Sequence, residues 1–337
     1  MKAVTYSARG GSDVLTLVDR DEPHAGAGEV RVRIHVSGVN PTDWKARRSG
    51  GPLAQPQVPD QDGAGVIDEI GAGVDDLAVG DRVWVWDAAD QRPDGTAQEL
   101  VVLPRRQVVA LPDGASFDVG ASLGIPALTA HLALAAHARG PAELAPGSLT
   151  GRTVLVAGGA GAVGHAAIQL AAWAGATVVA TVSSDEKGAL ARAAGAHHVV
   201  HYTAADAAAR ISALAPRGVD IVVEVNVAVN AALDAEVTAP NAVISSYADA
   251  PGASEVSLPI RASMAKNLRW QFLLTYTTTP EQKDAAVRAV AAAAADGALE
   301  VGEEHGLPLA RYALAETAQA HDAVENGFVG KVLIDVA

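Results

Sequence analysis

Hydrophobic and polar positions change rhythm twice along this chain. From Met1 to about Leu111 they alternate with period two, or form short apolar runs broken by Gly, Pro and Asp. Residues 4–6, 14–18, 29–36, 65–70, 82–86 and 98–103 are read as strands separated by turn residues, which predicts a compact β-rich barrel. The alternation is clearest in Arg31-Val32-Arg33-Ile34-His35-Val36, and it predicts that the polar members, His35 included, face solvent. After Pro112-Asp113-Gly114 the Ala/Leu-rich stretches 117–123 and 127–138 predict helices, joined at Gly124-Ile125-Pro126 where proline breaks the helical run.

From Thr153 to about Val301 strand and helix patterns alternate. Strands are read at 153–157, 176–182, 197–201, 219–225 and 241–247, with helices 162–174, 185–194, 204–214 and 228–236 between them. Such an order requires a parallel sheet covered by helices on both faces, an α/β fold. Residues 255–260 and 270–275 add strand signals, and 281–294 reads as a helix. Beyond Val301 the pattern of the opening residues returns, and it ends in the strand 331–336, predicted to rejoin the first domain. The chain is therefore divided as 1–122, an inserted domain 123–295, and a return segment 296–337.

The insert opens on the stretch that organises the chain. Thr153-Val154-Leu155-Val156-Ala157 reads as a buried parallel strand, Gly159, Gly161 and Gly164 give the spacing G-x-G-x-x-G, and an Ala-rich helix follows. One glycine makes the turn, one lets backbone amides approach a pyrophosphate, and one lets helix pack closely on strand. Chance glycine patterns are common in a chain with 33 glycines, but the second strand at 176–182 completes a βαβ unit and predicts a dinucleotide site.

Composition narrows the function classes. The 337 residues are 49% hydrophobic and 19% charged, with a formal charge of −14, which fits a globular protein and disfavours affinity for nucleic acid or anionic membranes. There is no apolar run long enough to span a bilayer and no basic-then-apolar start, so a cytoplasmic location is expected. The absence of cysteine excludes disulfides and every thiolate metal site.

Several motifs together resemble one family. Gly38-Val39-Asn40-Pro41-Thr42-Asp43, Asp62-Gly63-Ala64-Gly65-Val66-Ile67, Gly80-Asp81-Arg82-Val83, Gly124-Ile125-Pro126-Ala127-Leu128-Thr129-Ala130, the glycine loop and Gly330-Lys331 stand in the order and spacing of the medium-chain dehydrogenase/reductases. The chain is most similar to the zinc-free quinone oxidoreductase branch, which includes the zeta-crystallins. This resemblance implies a GroES-like β-barrel catalytic domain, a Rossmann domain and NADPH bound between them. Zinc-dependent members hold a Lewis acid with a cysteine and a Gly-His-Glu box; here Asn40 takes the cysteine's place and Asp60-Gln61-Asp62 stands where the His-Glu pair would be. No metal site is expected, and the acceptor is expected to be already electrophilic, a quinone or an activated enone.

Cofactor choice is read at the end of the second strand of the insert. NAD-preferring sites carry Asp or Glu there to accept from the ribose hydroxyls; this chain has Ser183-Ser184, with Lys187 one helical turn later as a positive charge. The resemblance adds Tyr202 as a contact to the same phosphate, so NADPH is favoured. Asp185 and Glu186 are the contrary signal, read as a negative first helical turn. The resemblance further implies that Ala160, Gly161, Ala162 and Val163 hold the pyrophosphate and that Thr129 faces the nicotinamide. It also implies that Asn230, Ser246-Tyr247-Ala248 and Leu273-Leu274-Thr275 line the ribose and nicotinamide, and that Lys331 reaches a phosphate.

In the expected reaction the cofactor supplies the hydride and the protein orients the nicotinamide face. Asn40, Lys45 or Thr129 would stabilise the acceptor's oxyanion, with the proton coming from solvent. Asp43 is read as a structural acceptor. The chain departs from the family where Lys45 and Pro52 replace aromatic positions and where Tyr247 replaces a residue that is usually Gly; Tyr247 is expected to narrow the pocket, stack, or donate a proton. Quinone reduction is the first functional reading, enoyl or enone reduction the second, and an NADPH-binding sensor or structural protein the third. A homodimer is expected, paired through a Rossmann sheet edge offered by 242–247 with 255–260.

Overall fold

A computed structural model of the chain describes residues 1–135, 137, 140–248 and 255–337. The chain divides into two compact units, Met1–Ile125 with Pro308–Ala337, and Pro126–Leu307. The sequence boundaries were at 122/123 and 295/296.

In chain order the first unit holds β1 (Lys2–Thr5), β2 (Thr16–Asp19), β3 (Glu29–Val39), α1 (Pro41–Arg48), β4 (Asp62–Ile70), β5 (Arg82–Val85), β6 (Leu100–Pro104), β7 (Val108–Ala110) and α2 (Phe117–Gly120). The second holds α3 (Leu128–Ala135), β8 (Thr153–Ala157), α4 (Ala162–Trp173), β9 (Thr177–Val182), α5 (Asp185–Ala193), β10 (His198–His201), α6 (Ala207–Leu214), β11 (Val219–Glu224), α7 (Val227–Val237), β12 (Thr238–Ser246), α8 (Ile260–Lys266), β13 (Arg269–Phe272) and α9 (Pro280–Ala295). The return segment adds β14 (Leu309–Ala313), α10 (Thr317–Glu325) and β15 (Lys331–Asp335) to the first unit.

The first unit is built on β3, whose length lets it pair with β15, β4 and β6, all antiparallel. Its alternation buries Val30, Val32 and Ile34 with Val83, Val85, Val101 and Leu103 in one apolar core. The register of β15 on β3 sets Val332 opposite Val39, so the chain's last strand lies beside the residues that lead into α1. His35 departs from its expected place in solvent: its ring stacks on Phe117, centroids 4.7 Å apart with 10° between planes, and partial burial lowers its pKa.

The second unit is a six-stranded parallel sheet in the order β10-β9-β8-β11-β12-β13. Relative to β8 as first strand this is 3-2-1-4-5-6, the doubly wound order whose switch point lies beside the first strand. Two expectations are corrected. Residues 255–259 form no strand and lead directly into α8. Residues 242–247 are not an edge, because β12 pairs with β11 on one side and β13 on the other; the edge is β13. The helix expected at 127–138 is α3 in its described part, preceded by a π-helical turn at Leu123–Ala127 that contains Pro126; residues 136 and 138 lie outside the described residues.

Candidate functional site

In the second unit the glycine loop sits where β8 hands over to α4. Gly158 adopts a φ of +67°, its N–H and that of Gly159 donate to Thr181 O on β9 at 3.0 and 3.2 Å, and Gly161 N–H closes the turn on Gly158 O at 3.0 Å. A Cβ on Gly164 would lie 2.3 Å from Gly158 O, so glycine is required there for helix and turn to approach. Gly161 differs. Its φ of −83° suits any residue, and a Cβ would meet only Gly158 O, at 3.5 Å. Protein packing does not explain this glycine, whereas a ligand drawn up to the backbone would. Gly161 is the N-cap of α4 and brings no side-chain cap, which leaves the N–H groups of Ala162, Val163 and Gly164 without intrahelical acceptors. Together with the helix dipole they form a cradle for an anionic group, and the residues present fit a pyrophosphate.

At the end of β9, Ser184 caps α5 by accepting from Lys187 N–H at 3.3 Å, and the Lys187 ammonium donates to Ser183 Oγ at 3.2 Å. A fixed positive charge thus stands where an NAD-type site would place a carboxylate. Asp185 pairs with His201 at 3.2 Å. The Glu186 carboxyl is held below its usual range, first by a hydrogen bond with Ser184. Both acids therefore serve the first turn of α5. Tyr202 is half-buried, with its N–H on Val182 O at 3.2 Å.

The far side of the sheet brings together the remaining residues of this unit. Asn230 Nδ2 donates to Glu224 Oε1 at 3.0 Å, Tyr247 N–H donates to Glu224 O at 3.1 Å, Ser246 Oγ donates to Ala248 O at 3.3 Å, and Leu273 N–H donates to Ser246 O at 2.9 Å. Burial, with the Glu224 charge nearby, pushes the Tyr247 phenol well up, so it is a protonated donor. Leu274 is exposed, while the buried Thr275 hydroxyl accepts from Lys283 Nζ at 2.8 Å. Thr129 is buried on α3.

The first unit gathers a different set. Lys331 Nζ donates to Asn40 Oδ1 at 2.7 Å and lies 3.6 Å from Asp62 Oδ2. Asn40 Nδ2 donates to Asp62 at 2.7 Å and to Gly38 O at 3.3 Å, and Ile125 N–H donates to the Asp62 carboxylate at 2.9 Å. Asn40, Asp62 and Lys331 are all buried. Burial raises the Asp62 pKa to about 6, with Lys331, Asn40 and Ile125 opposing, and it lowers the Lys331 pKa against the pull of Asp62, Asp43 and Asp60. The expected roles change accordingly. Both amide hydrogens of Asn40 are committed, so it offers no donor to an oxyanion, and the Lys331 ammonium is held inside this unit and is not set out for a phosphate. Asp43 accepts from Asn40 N–H at 2.7 Å as the partner in a capping box. Lys45 lies on the exposed face of α1, away from this network. Sequence reasoning missed the buried pair His321 Nε2 and Asp60 Oδ1, 2.9 Å apart, as well as Glu224 and Lys283.

Residues 26–113 match the family model described as "Alcohol dehydrogenase GroES-like domain", and residues 162–295 match "Zinc-binding dehydrogenase". The quinone oxidoreductase of Pseudomonas aeruginosa is 32% identical over 326 residues, 95% of this chain and 94% of that one. The chain belongs to the quinone oxidoreductase family of medium-chain dehydrogenase/reductases. Two solved structures share its fold over nearly the whole length. An NAD-dependent alcohol dehydrogenase is 27% identical with a TM-score of 0.84, covering 100% of both chains. A mycobacterial protein complexed with NADPH is 28% identical with a TM-score of 0.80, covering 99% of both. Like the rest of the family, this quinone oxidoreductase homologue joins a GroES-like domain to a Rossmann domain. It carries Asn40 and Gln61 at two of the positions that zinc-dependent relatives use for metal. Gln61 Oε1 accepts from Ala89 N–H at 3.0 Å, and among the described residues no three His, Asp or Glu side chains gather into a ligand set.

Proposed function

We propose that this protein is an NADPH-dependent oxidoreductase that reduces a quinone and draws on no thiolate or His-Glu donors to hold a catalytic metal. The observation that carries the reading is the uncapped start of α4 over Gly161, one strand away from a lysine fixed at the end of β9. The family, and the NADPH complex of a relative 28% identical, support it.

When bound, NADPH supplies the hydride. The N–H groups of Ala160, Ala162, Val163 and Gly164 hold its pyrophosphate. Ser183, Ser184 and Lys187, with Tyr202, hold the 2′-phosphate. Asn230, Ser246, Tyr247, Ala248, Leu273, Leu274 and Thr275 bound the nicotinamide end. Tyr247, kept protonated by burial, offers a hydrogen-bond donor and excludes water from the nicotinamide face. Thr129 in the second unit and Lys45 in the first are the side chains assigned to charge developing on the acceptor oxygen. The proton comes from solvent.

NADPH oxidation followed against a panel of quinones, enones and 2-enoyl thioesters tests the assignment. Turnover confined to quinones is expected. Turnover confined to enones or thioesters would replace it with the second reading, reduction of an activated C=C by the same hydride delivery. Tight NADPH binding with no turnover would replace it with a sensor role. A homodimer is part of the proposal: β13 is an open sheet edge, and Phe272 on it, with Ile260 and Met264 on α8, presents apolar surface to solvent.

A further inference from the structure

Glu224 ends β11 with its side chain fully buried. One carboxylate oxygen accepts from the N–H of Asn226 and from Asn230 Nδ2. Asp234, one helical turn beyond Asn230 on α7 and also buried, hydrogen-bonds the Glu224 side chain. Two carboxyl groups in contact away from water cannot both ionise. Burial and the Glu224 charge push Asp234 well above the usual carboxylate range, while the hydrogen bond from Asp234 draws Glu224 back down. Asp234 therefore holds the proton and donates it, and Glu224 remains an acceptor.

An asparagine amide presents donors if turned one way and an acceptor if turned the other. Glu224 accepts and cannot donate, so the Asn230 NH2 must turn toward it and Oδ1 away. Among the described residues nothing donates to Asn230 Oδ1. Asn226, one helical turn earlier on α7, leaves its own Oδ1 buried and without a partner among the described residues. Two amide oxygens on one helix face, each lacking a donor, call for a ligand with paired hydroxyl groups.

We infer that Glu224 is a positioning residue: it locks the Asn230 amide so that Asn230 and Asn226 present two acceptors, which select the vicinal hydroxyls of the cofactor's nicotinamide ribose. The inference rests on the reading of this unit as an NADPH site. It gives Glu224 and Asp234 a role in recognition that neither could exert by contact.

Fluorescence titration of wild type, Asn230→Ala, Glu224→Leu and Glu224→Gln with NADPH and with its analogue lacking both nicotinamide-ribose hydroxyls tests it. Wild type is expected to bind the analogue about tenfold more weakly, the worth of one or two hydrogen bonds. That ratio should fall toward one in Asn230→Ala and Glu224→Leu, and persist in Glu224→Gln, which keeps an acceptor oxygen. A ratio of one in wild type, or an unchanged ratio in Glu224→Leu, would overturn the inference. Hydrogen exchange of the Asn230 side-chain amide in ligand-free wild type reads the orientation without any variant: slow exchange is expected, and exchange as fast as an exposed asparagine would overturn it. Failure of wild type to bind NADPH at all would instead contradict the cofactor reading and leave the exchange result to judge the orientation.

Discussion

Lys331 and Asn40 stand at opposite ends of the chain and are joined side chain to side chain at 2.7 Å, both buried. The bond exists because β15 returns antiparallel to β3, and it anchors a network that also holds Asp62. An acidic group shut away from water is tolerated only with such a partner. Replacing Lys331 by Met should therefore destabilise the protein by about 3 kcal/mol in urea unfolding, because Asp62 is left unpaired. Adding Asp62→Asn should restore much of the loss, whereas a Lys331→Met variant within about 0.5 kcal/mol of wild type would show that the pair contributes nothing.

Lys187 holds its charge against Ser183. Lys187→Ala should weaken NADPH binding by about tenfold while leaving NADH nearly unchanged, since only NADPH carries the 2′-phosphate. Calorimetric titration with both nucleotides measures this. Equal effects on the two would remove Lys187 from cofactor selection.

Acid should act on the second unit through His165. Burial lowers its pKa to about 4, although its Nε2 lies 2.8 Å from His305 O. The folded value lies below the ordinary value near 6.5, so the unfolded chain binds more protons between the two, and stability falls as pH drops from about 6.5 to about 4, by up to about 3 kcal/mol. Denaturant unfolding of wild type and His165→Gln from pH 7 to 4.5 should show a shallower fall in the variant, whose amide can still donate to His305 O. Parallel curves would contradict the assignment.

The open edge at β13 makes a further prediction. Light scattering should find a dimer, and Phe272→Glu, which puts charge on that edge, should shift it to monomer with the fold intact. A wild-type monomer at micromolar concentration would count against the edge as an interface.

Much of the second unit was legible because buried parallel strands and the helices that cover them impose two strong periods. The strand read at 153–157 is β8 to the residue, and that at 219–225 overshoots β11 by one. In the first unit α1 was passed over: its only buried side chains are Asp43 and Arg47, so no apolar stripe marks it, and Asn40-Pro41 reads equally well as a turn. Residues 255–260 alternate like a strand, but β13 takes the place beside β12. The glycine loop was readable because its spacing is local. The roles of Asn40 and Lys331 were not, because each depends on Asp62 and on a strand pairing between distant residues. Glu224 was hidden for a related reason: a carboxylate at a strand end looks solvated until Asp234 and Asn230 close over it.

The central claim is that a nucleotide pyrophosphate lies on the start of α4 against Gly161. Gly161→Val tests it most directly, because the backbone there suits any residue and a Cβ meets only Gly158 O, at 3.5 Å. The variant should fold like wild type by circular dichroism and thermal melting yet bind NADPH at least about tenfold more weakly in a calorimetric titration. A folded Gly161→Val protein with undiminished NADPH affinity would contradict the account.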